Sequence, residues 1–232
     1  MERDAQFDVL LGLLQTFERE GVLQHLMLIG SWCLFFYRSA SPKVGEFPAV
    51  RTLDADFLIP HQRGLARDVD VPSLLQELGF VPTFYRSSQW VVYDHPELRV
   101  EFLAPELGRG SSEAQTVPKL HIKAQRLRYL QLLADYPKRV TYQGVTLRIP
   151  EPSAFALHKL IVSGRRTGGA KRRKDLEAAI AVLDYVYAHP RELTMMRTIL
   201  HRLPKGWLKT LDGLATTHYP VLTGDIRERL RR

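Results

Sequence analysis

The chain contains one cysteine, Cys33, in 232 residues. That excludes an internal disulfide and any zinc site built from cysteines. No apolar run approaches the roughly eighteen residues that a membrane-spanning helix needs. The opening MERDAQFDVLLGLLQTFERE sets acids ahead of its apolar positions and offers no small-residue cleavage site. It therefore reads against a signal peptide and in favour of a cytoplasmic protein with no membrane partner. No internal repeat and no low-complexity segment is present. Acids are also missing locally: RRTGGAKRRK, from Arg165 to Lys174, has six basic residues and no acidic one, and the tail RERLRR adds four more.

What is present suits a soluble globular protein, with 45% hydrophobic and 25% charged residues. The length allows one large domain or two small ones. A net charge of +8 favours anionic partners such as nucleic acid or nucleotides without specifying which. Phe7, Leu10, Leu11, Leu14 and Phe17 predict an amphipathic helix over 4–20, ended by Gly21. LMLIG (26–30) reads as a buried strand, and SWCLFFYRS as a helix that Ser31 opens. Residues 41–50 read as a loop, 52–59 as a strand and 71–80 as a short helix. Strands at 88–94 and 98–104 form a hairpin around His95 and Pro96. Residues 105–119 read as irregular. YLQLL, KRVTYQ and VTLRIP read as further strands, the last two joined at Gln143-Gly144. From Glu151 onward the pattern is helical, with one helix opening at Lys174. The predicted organisation is a mixed α/β core over 1–150 and a helical C-terminal domain over 151–232, with a ligand site expected between them.

One strand breaks the apolar rule. In RTLDADFLIP (51–60) two aspartates stand among Leu53, Phe57, Leu58 and Ile59, and an unpaired buried carboxylate is costly. Alternation puts Asp54 and Asp56 on one face, roughly 6.5 to 7 Å apart, with Leu53, Ala55 and Phe57 on the other. Either a basic side chain such as Arg51 or Lys159 comes to the pair, or a divalent cation does. Magnesium takes one or two protein carboxylates and completes its set with water and phosphate. Glu101 in LRVEFL is a third carboxylate flanked by apolar residues, with Asp94 as its rival. Upstream, Gly30-Ser31 stands at a strand-to-helix junction, where a glycine lets phosphate approach the backbone and free amides favour an anion.

Gly-Ser opening a helix, then Asp-x-Asp, then a later acidic strand resembles the polymerase-beta-type nucleotidyltransferase superfamily. RTLDADF is similar to the version in AbiE toxin-type and related prokaryotic nucleotidyltransferases, as is VTLRIPEPSAFALHKLIVSGRR followed by KRRKDLEAAIAVL. The resemblance runs from about residue 26 to 187. It implies a nucleotidyltransferase-fold mixed sheet with flanking helices and a transferase that moves NMP from an NTP such as ATP. It implies two Mg²⁺ (or Mn²⁺) ions on Asp54, Asp56 and Glu101, with the triphosphate at Gly30, Ser31 and Lys159. Arg51 and Thr52 are expected to support the aspartates. Arg165, Arg166, Arg172, Arg173 and Lys174 read either as a solvated run or as contacts to an RNA backbone. The acceptor such relatives suggest is a hydroxyl of RNA (tRNA among them), of a protein or of a small molecule, the charge favouring nucleic acid, and a cognate antitoxin is a further expected partner. The rival readings are a catalytically decayed module that binds nucleic acid or a partner protein, and an antibiotic-modifying transferase, against which the basic surplus argues. His158 and the stripe Leu176, Ala179, Ile180, Leu183 read as packing residues, and Asp175 as a first-turn acid favoured by the helix dipole.

Overall fold

A computed structural model of the chain describes residues 5–40, 47, 52–60, 67–85, 90–106 and 114–231. They group into two compact units, residues 1–40 with 50–150 and residues 41–49 with 151–232. The first unit is mixed α/β and the second is helical.

The first unit runs α1 (Ala5–Arg19), β1 (Met27–Ile29), α2 (Trp32–Ala40), β2 (Asp54–Leu58), α3 (Val71–Glu77), β3 (Val81–Tyr85), β4 (Trp90–Asp94) and β5 (Arg99–Pro105). It continues through β6 (Gln115–Val117), β7 (Ile122–Leu127), α4 (Leu130–Ala134), β8 (Pro137–Tyr142) and β9 (Val145–Pro150). The main sheet has the order β1-β2-β5-β4-β3. β2 and β5 are parallel, and the other pairings along that path are antiparallel. β5 changes partner part-way. Its first residues pair with β4, while Leu103 to Pro105 pair in parallel with β7, which carries β6 on its far side. β8 and β9 form a separate hairpin turning at Gln143 and Gly144, both with positive φ.

One face of the main sheet is the core. Phe57 and Phe102 stack with centroids 6.1 Å apart, and Phe17 from α1 meets Phe57 edge-on at 5.5 Å. Leu10, Leu13, Leu14 and Phe17 make the buried stripe of α1, the helical spacing at which an apolar face forms. Gly21, at φ +72°, ends that helix. Tyr37 donates a 2.7 Å hydrogen bond to the Pro150 carbonyl and so ties α2 to the end of β9.

Most predicted elements are present, and the departures have physical causes. YLQLL is not a strand. It folds as α4, whose four buried residues Leu130, Leu132, Leu133 and Ala134 do not alternate, and a short apolar run does not by itself tell strand from buried helix. β3 is absent from the sequence reading because VPTFY contains a proline; it is the edge strand, where proline is tolerated. The region read as irregular holds β6. Of the predicted loop at 41–50, only Phe47 lies within the described residues. It packs against Tyr185, 5.8 Å away.

The second unit comprises α5 (Pro152–Ser163), α6 (Gly169–Ala188), α7 (Pro190–Arg202), α8 (Lys205–His218) and α9 (Pro220–Arg231). No described helix is long and apolar enough to cross a membrane. α6 starts five residues before the predicted Lys174, so Lys171 to Lys174 lie in its first turns and Asp175 does not. Asp175 is buried instead, accepting from Lys159 Nζ at 2.7 Å and Arg166 Nε at 3.1 Å. Burial works to raise its carboxyl, but the two cations outweigh that and hold it below the ordinary aspartate range. Beside them, the His158 Nε2 is buried without a partner among the described residues. Burial, with the nearby Lys159 charge, pushes the ring down to about 3.

Two outcomes are expected. Asp175→Asn strands a buried ammonium and should cost about 3 kcal/mol in chemical denaturation, whereas Arg173→Ala, at an exposed pair, should cost under about 1 kcal/mol. The unfolded imidazole takes a proton near 6.5 and the folded one does not until about 3. Stability should therefore fall as pH drops through that window, and His158→Phe should flatten the fall measured by thermal melts between pH 7 and 4.

Candidate active site

The face of the sheet opposite the phenylalanines carries the acids. Paired residues on neighbouring strands point to the same side. Asp56 lies opposite Glu101 in the parallel β2–β5 register and opposite Ile29 of β1, while Asp54 lies opposite Arg99. Asp54, Asp56 and Glu101 therefore share one face. Asp54 is exposed and the other two are half-buried. Ala55 and Phe57 turn inward as expected, but Leu53 is 62% exposed, because it stands at a bend before the strand begins.

Gly30 closes β1 against this group. Its φ is +76°, and a Cβ there would come within 2.5 Å of Asp56 Oδ2. The glycine is thus required twice, for its left-handed backbone and for the space the Asp56 carboxylate fills. Ser31, half-buried, follows at the start of α2. Thr52 is buried, and its Oγ1 accepts from the Asp54 amide at 3.3 Å. The Thr52 carbonyl accepts from Gln6 Nε2 at 2.5 Å, which ties the strand entry to α1. Arg51 lies outside the described residues.

The cation that the sequence reading sought for the aspartates has a neighbour it did not weigh. Arg99 stands opposite Asp54 and donates from Nε to Asp94 Oδ1 at 2.7 Å; Asp94 Oδ2 accepts from Thr83 at 2.8 Å. The Asp94 hydrogen bond, together with the charges of Asp94, Tyr85 and Asp54, holds the guanidinium above its ordinary value despite burial. Burial alone would raise the Asp94 carboxyl, but Arg99 and Thr83 hold it below the usual range. Asp94 is committed to that pair, and Glu101 is the acid beside Asp56. The signal for Arg99 was its spacing: two residues before Glu101 on a strand, it faces the same way.

Lys159, in the helical unit, is occupied by Asp175 and carries only 15% side-chain exposure. Arg166 shares that carboxylate, and Arg165, Arg172, Arg173 and Lys174 are exposed. Among the described residues no group of three or more His, Cys, Asp or Glu side chains stands ready to hold a metal ion. The oxygen donors of Asp54, Asp56 and Glu101 are nevertheless of the hard type that magnesium takes, and its usual set draws the remaining ligands from water and phosphate. The missing Cβ of Gly30 is what lets the Asp56 carboxylate sit against the end of β1.

A solved structure of an antigenic nucleotidyltransferase-like protein from Paracoccidioides brasiliensis superposes with a TM-score of 0.52 at 15% identity, covering 97% of this chain and 92% of that one. At that identity the likeness is one of fold. Comparison with curated proteins found no match. A family model described as nucleotidyltransferase matches residues 9–199, a span that includes Gly30, Asp54, Asp56 and Glu101. Gly30→Ala is expected to displace the Asp56 carboxylate and destabilise the fold by about 1–2 kcal/mol, read as a lowered melting temperature. Since the match takes in most of the 232 residues, the chain belongs to the nucleotidyltransferase family.

Proposed function

We propose that the protein transfers NMP from a nucleoside triphosphate to a hydroxyl group, using divalent magnesium held by Asp54, Asp56 and Glu101. The observation carrying this reading is the shared face of those three carboxylates at the edge of the Gly30 notch. Bound there, magnesium would supply charge for the attacking and leaving oxygens of an in-line displacement at the α-phosphorus. Asp54 and Asp56 would hold the cation from β2 and Glu101 from β5. Gly30 and Ser31 offer backbone amides and a hydroxyl to phosphate oxygens at the start of α2. Glu101 is the carboxylate suited to take the proton of the acceptor hydroxyl. Thr52 fixes the direction of Asp54 through the amide it binds.

The acceptor suggested by charge is RNA, and tRNA is the form we favour. Lys171, Arg172, Arg173 and Lys174 project from the first turns of α6, whose first turn holds no acid, and of the four Arg173 has an acidic neighbour one turn on, Glu177 at 3.9 Å. Cations there stand against the helix dipole at a cost of about 0.3–1 kcal/mol each, a cost that phosphate contacts would offset. The same observation favours a second reading, in which the site is inactive and the protein holds RNA or a partner such as an antitoxin without chemistry.

Incubation with each labelled NTP, Mg²⁺ and total RNA distinguishes the two. Under the first reading label appears on RNA and is abolished in Asp54→Ala and Asp56→Ala, both of which keep the wild-type melting profile. Salt-sensitive RNA binding with no transferred label and no nucleotide affinity would establish the second.

A further inference from the structure

The carboxylate face carries one more feature that nucleotidyl transfer as described does not use. Val92 of β4 lies opposite Glu101, so Trp90, two residues away on the same strand, points to the same side. Tyr85 of the edge strand lies opposite Trp90, and the two rings stack with centroids 5.0 Å apart and planes 28° from parallel. Trp90 is one strand and two residues from Glu101, about 8 Å between Cα atoms at ordinary sheet spacings. Tyr85 is 41% exposed and stands one strand further out, about 12 Å from Glu101 between Cα atoms at ordinary sheet spacings, so the solvent-facing ring lies about a nucleoside's length from the acids.

We propose that the Tyr85–Trp90 pair is the platform on which the base of the nucleoside triphosphate stacks while its phosphates lie at the carboxylates. This rests on the nucleotidyl-transfer reading above and adds to it the place of the base. Every base offers a flat π-face, and stacking on an aromatic side chain contributes about 1–3 kcal/mol with little preference among bases. The Trp90 indole N–H is buried with no acceptor among the described residues, so packing alone sets the angle of the ring.

Charge at this face suits a triphosphate that arrives with a divalent cation. On this face Asp54, Asp56, Asp94 and Glu101 stand among the described residues against Arg99 and, from β7, Lys123, which the alternation with Gln125 places on the same side. A strand lying along the face would meet net negative charge, so an RNA acceptor would enter by its reacting end alone and leave the platform to the base of the triphosphate. A single triphosphate brings its charge to one point, where a divalent cation can neutralise it. Phe84, 71% exposed, alternates to the opposite face and has no part in the platform.

Equilibrium titrations in Mg²⁺ with the four common ribonucleoside triphosphates and with inorganic tripolyphosphate test the assignment. Tyr85→Ala should weaken binding of all four nucleotides by about tenfold and leave tripolyphosphate unchanged. Tyr85→Phe and Phe84→Ala should behave as wild type. Wild-type protein that binds nucleotides, with Tyr85→Ala binding them equally well, would overturn the platform and leave the transfer reading standing. Nucleotides binding no tighter than tripolyphosphate would overturn it in the same way. Wild-type protein that binds neither ligand ends both readings together. A short oligoribonucleotide that loses affinity in Tyr85→Ala, while the triphosphates do not, would show that the stacked base is not the donor's.

Discussion

The arrangement of the acidic face depends on the register of two parallel strands. β2 and β5 share no turn, so nothing in the local chain fixes which residue stands beside which. The other side of the sheet supplies that constraint. Phe57 lies opposite Phe102 and stacks on it, with Ala55 opposite Val100 and all four buried. Because side chains alternate, a slip of one residue would turn Glu101 into the phenylalanine layer and bring Val100 or Phe102 beside Asp56. Burying the apolar set in one register therefore fixes the polar set in the same step. The carboxylates need no contact with each other to be placed.

Placing acids side by side creates repulsion, and in one row a cation stands among them. Arg99 occupies the middle of the row Asp54–Arg99–Asp94, with its Nε committed to Asp94, and the Asp54 carboxylate helps to hold the guanidinium above its ordinary value. In the next row, Asp56 beside Glu101, the fold also makes room: Gly30 has no Cβ, and the volume that a Cβ would claim is where the Asp56 carboxylate sits.

Much of this was legible in the sequence because it follows from periodicity. The 2-residue alternation of Asp54, Asp56 and Glu101, the glycine at the strand end and the helical second half all have local signals. Three things depend on distant pairings or on boundaries that the local sequence does not fix. Arg99 reads as an ordinary strand residue until β5 is set against β2. The basic run reads as a loop because two glycines precede it, although the helix begins at the second of them. Asp175 reads as a first-turn acid, since nothing local announces that Lys159 and Arg166 come to it from the preceding helix and turn. In each case the deciding partner is distant or the boundary is set by packing. Tyr85 is hidden for another reason: VPTFY contains a proline and does not read as a strand, whereas Trp90 falls in the predicted strand 88–94.

The Asp175 clasp has a consequence for the corner it spans. The carboxylate reaches back across the turn between α5 and α6 to a lysine on one side and an arginine within the turn itself. The two helices are thereby joined twice, once by peptide bonds through residues 164–168 and once by charge. A cut in the backbone of that turn would still leave Asp175 facing Lys159 over the same packed apolar surface. Charge thus adds a second tie at the corner, beside the main chain of the turn.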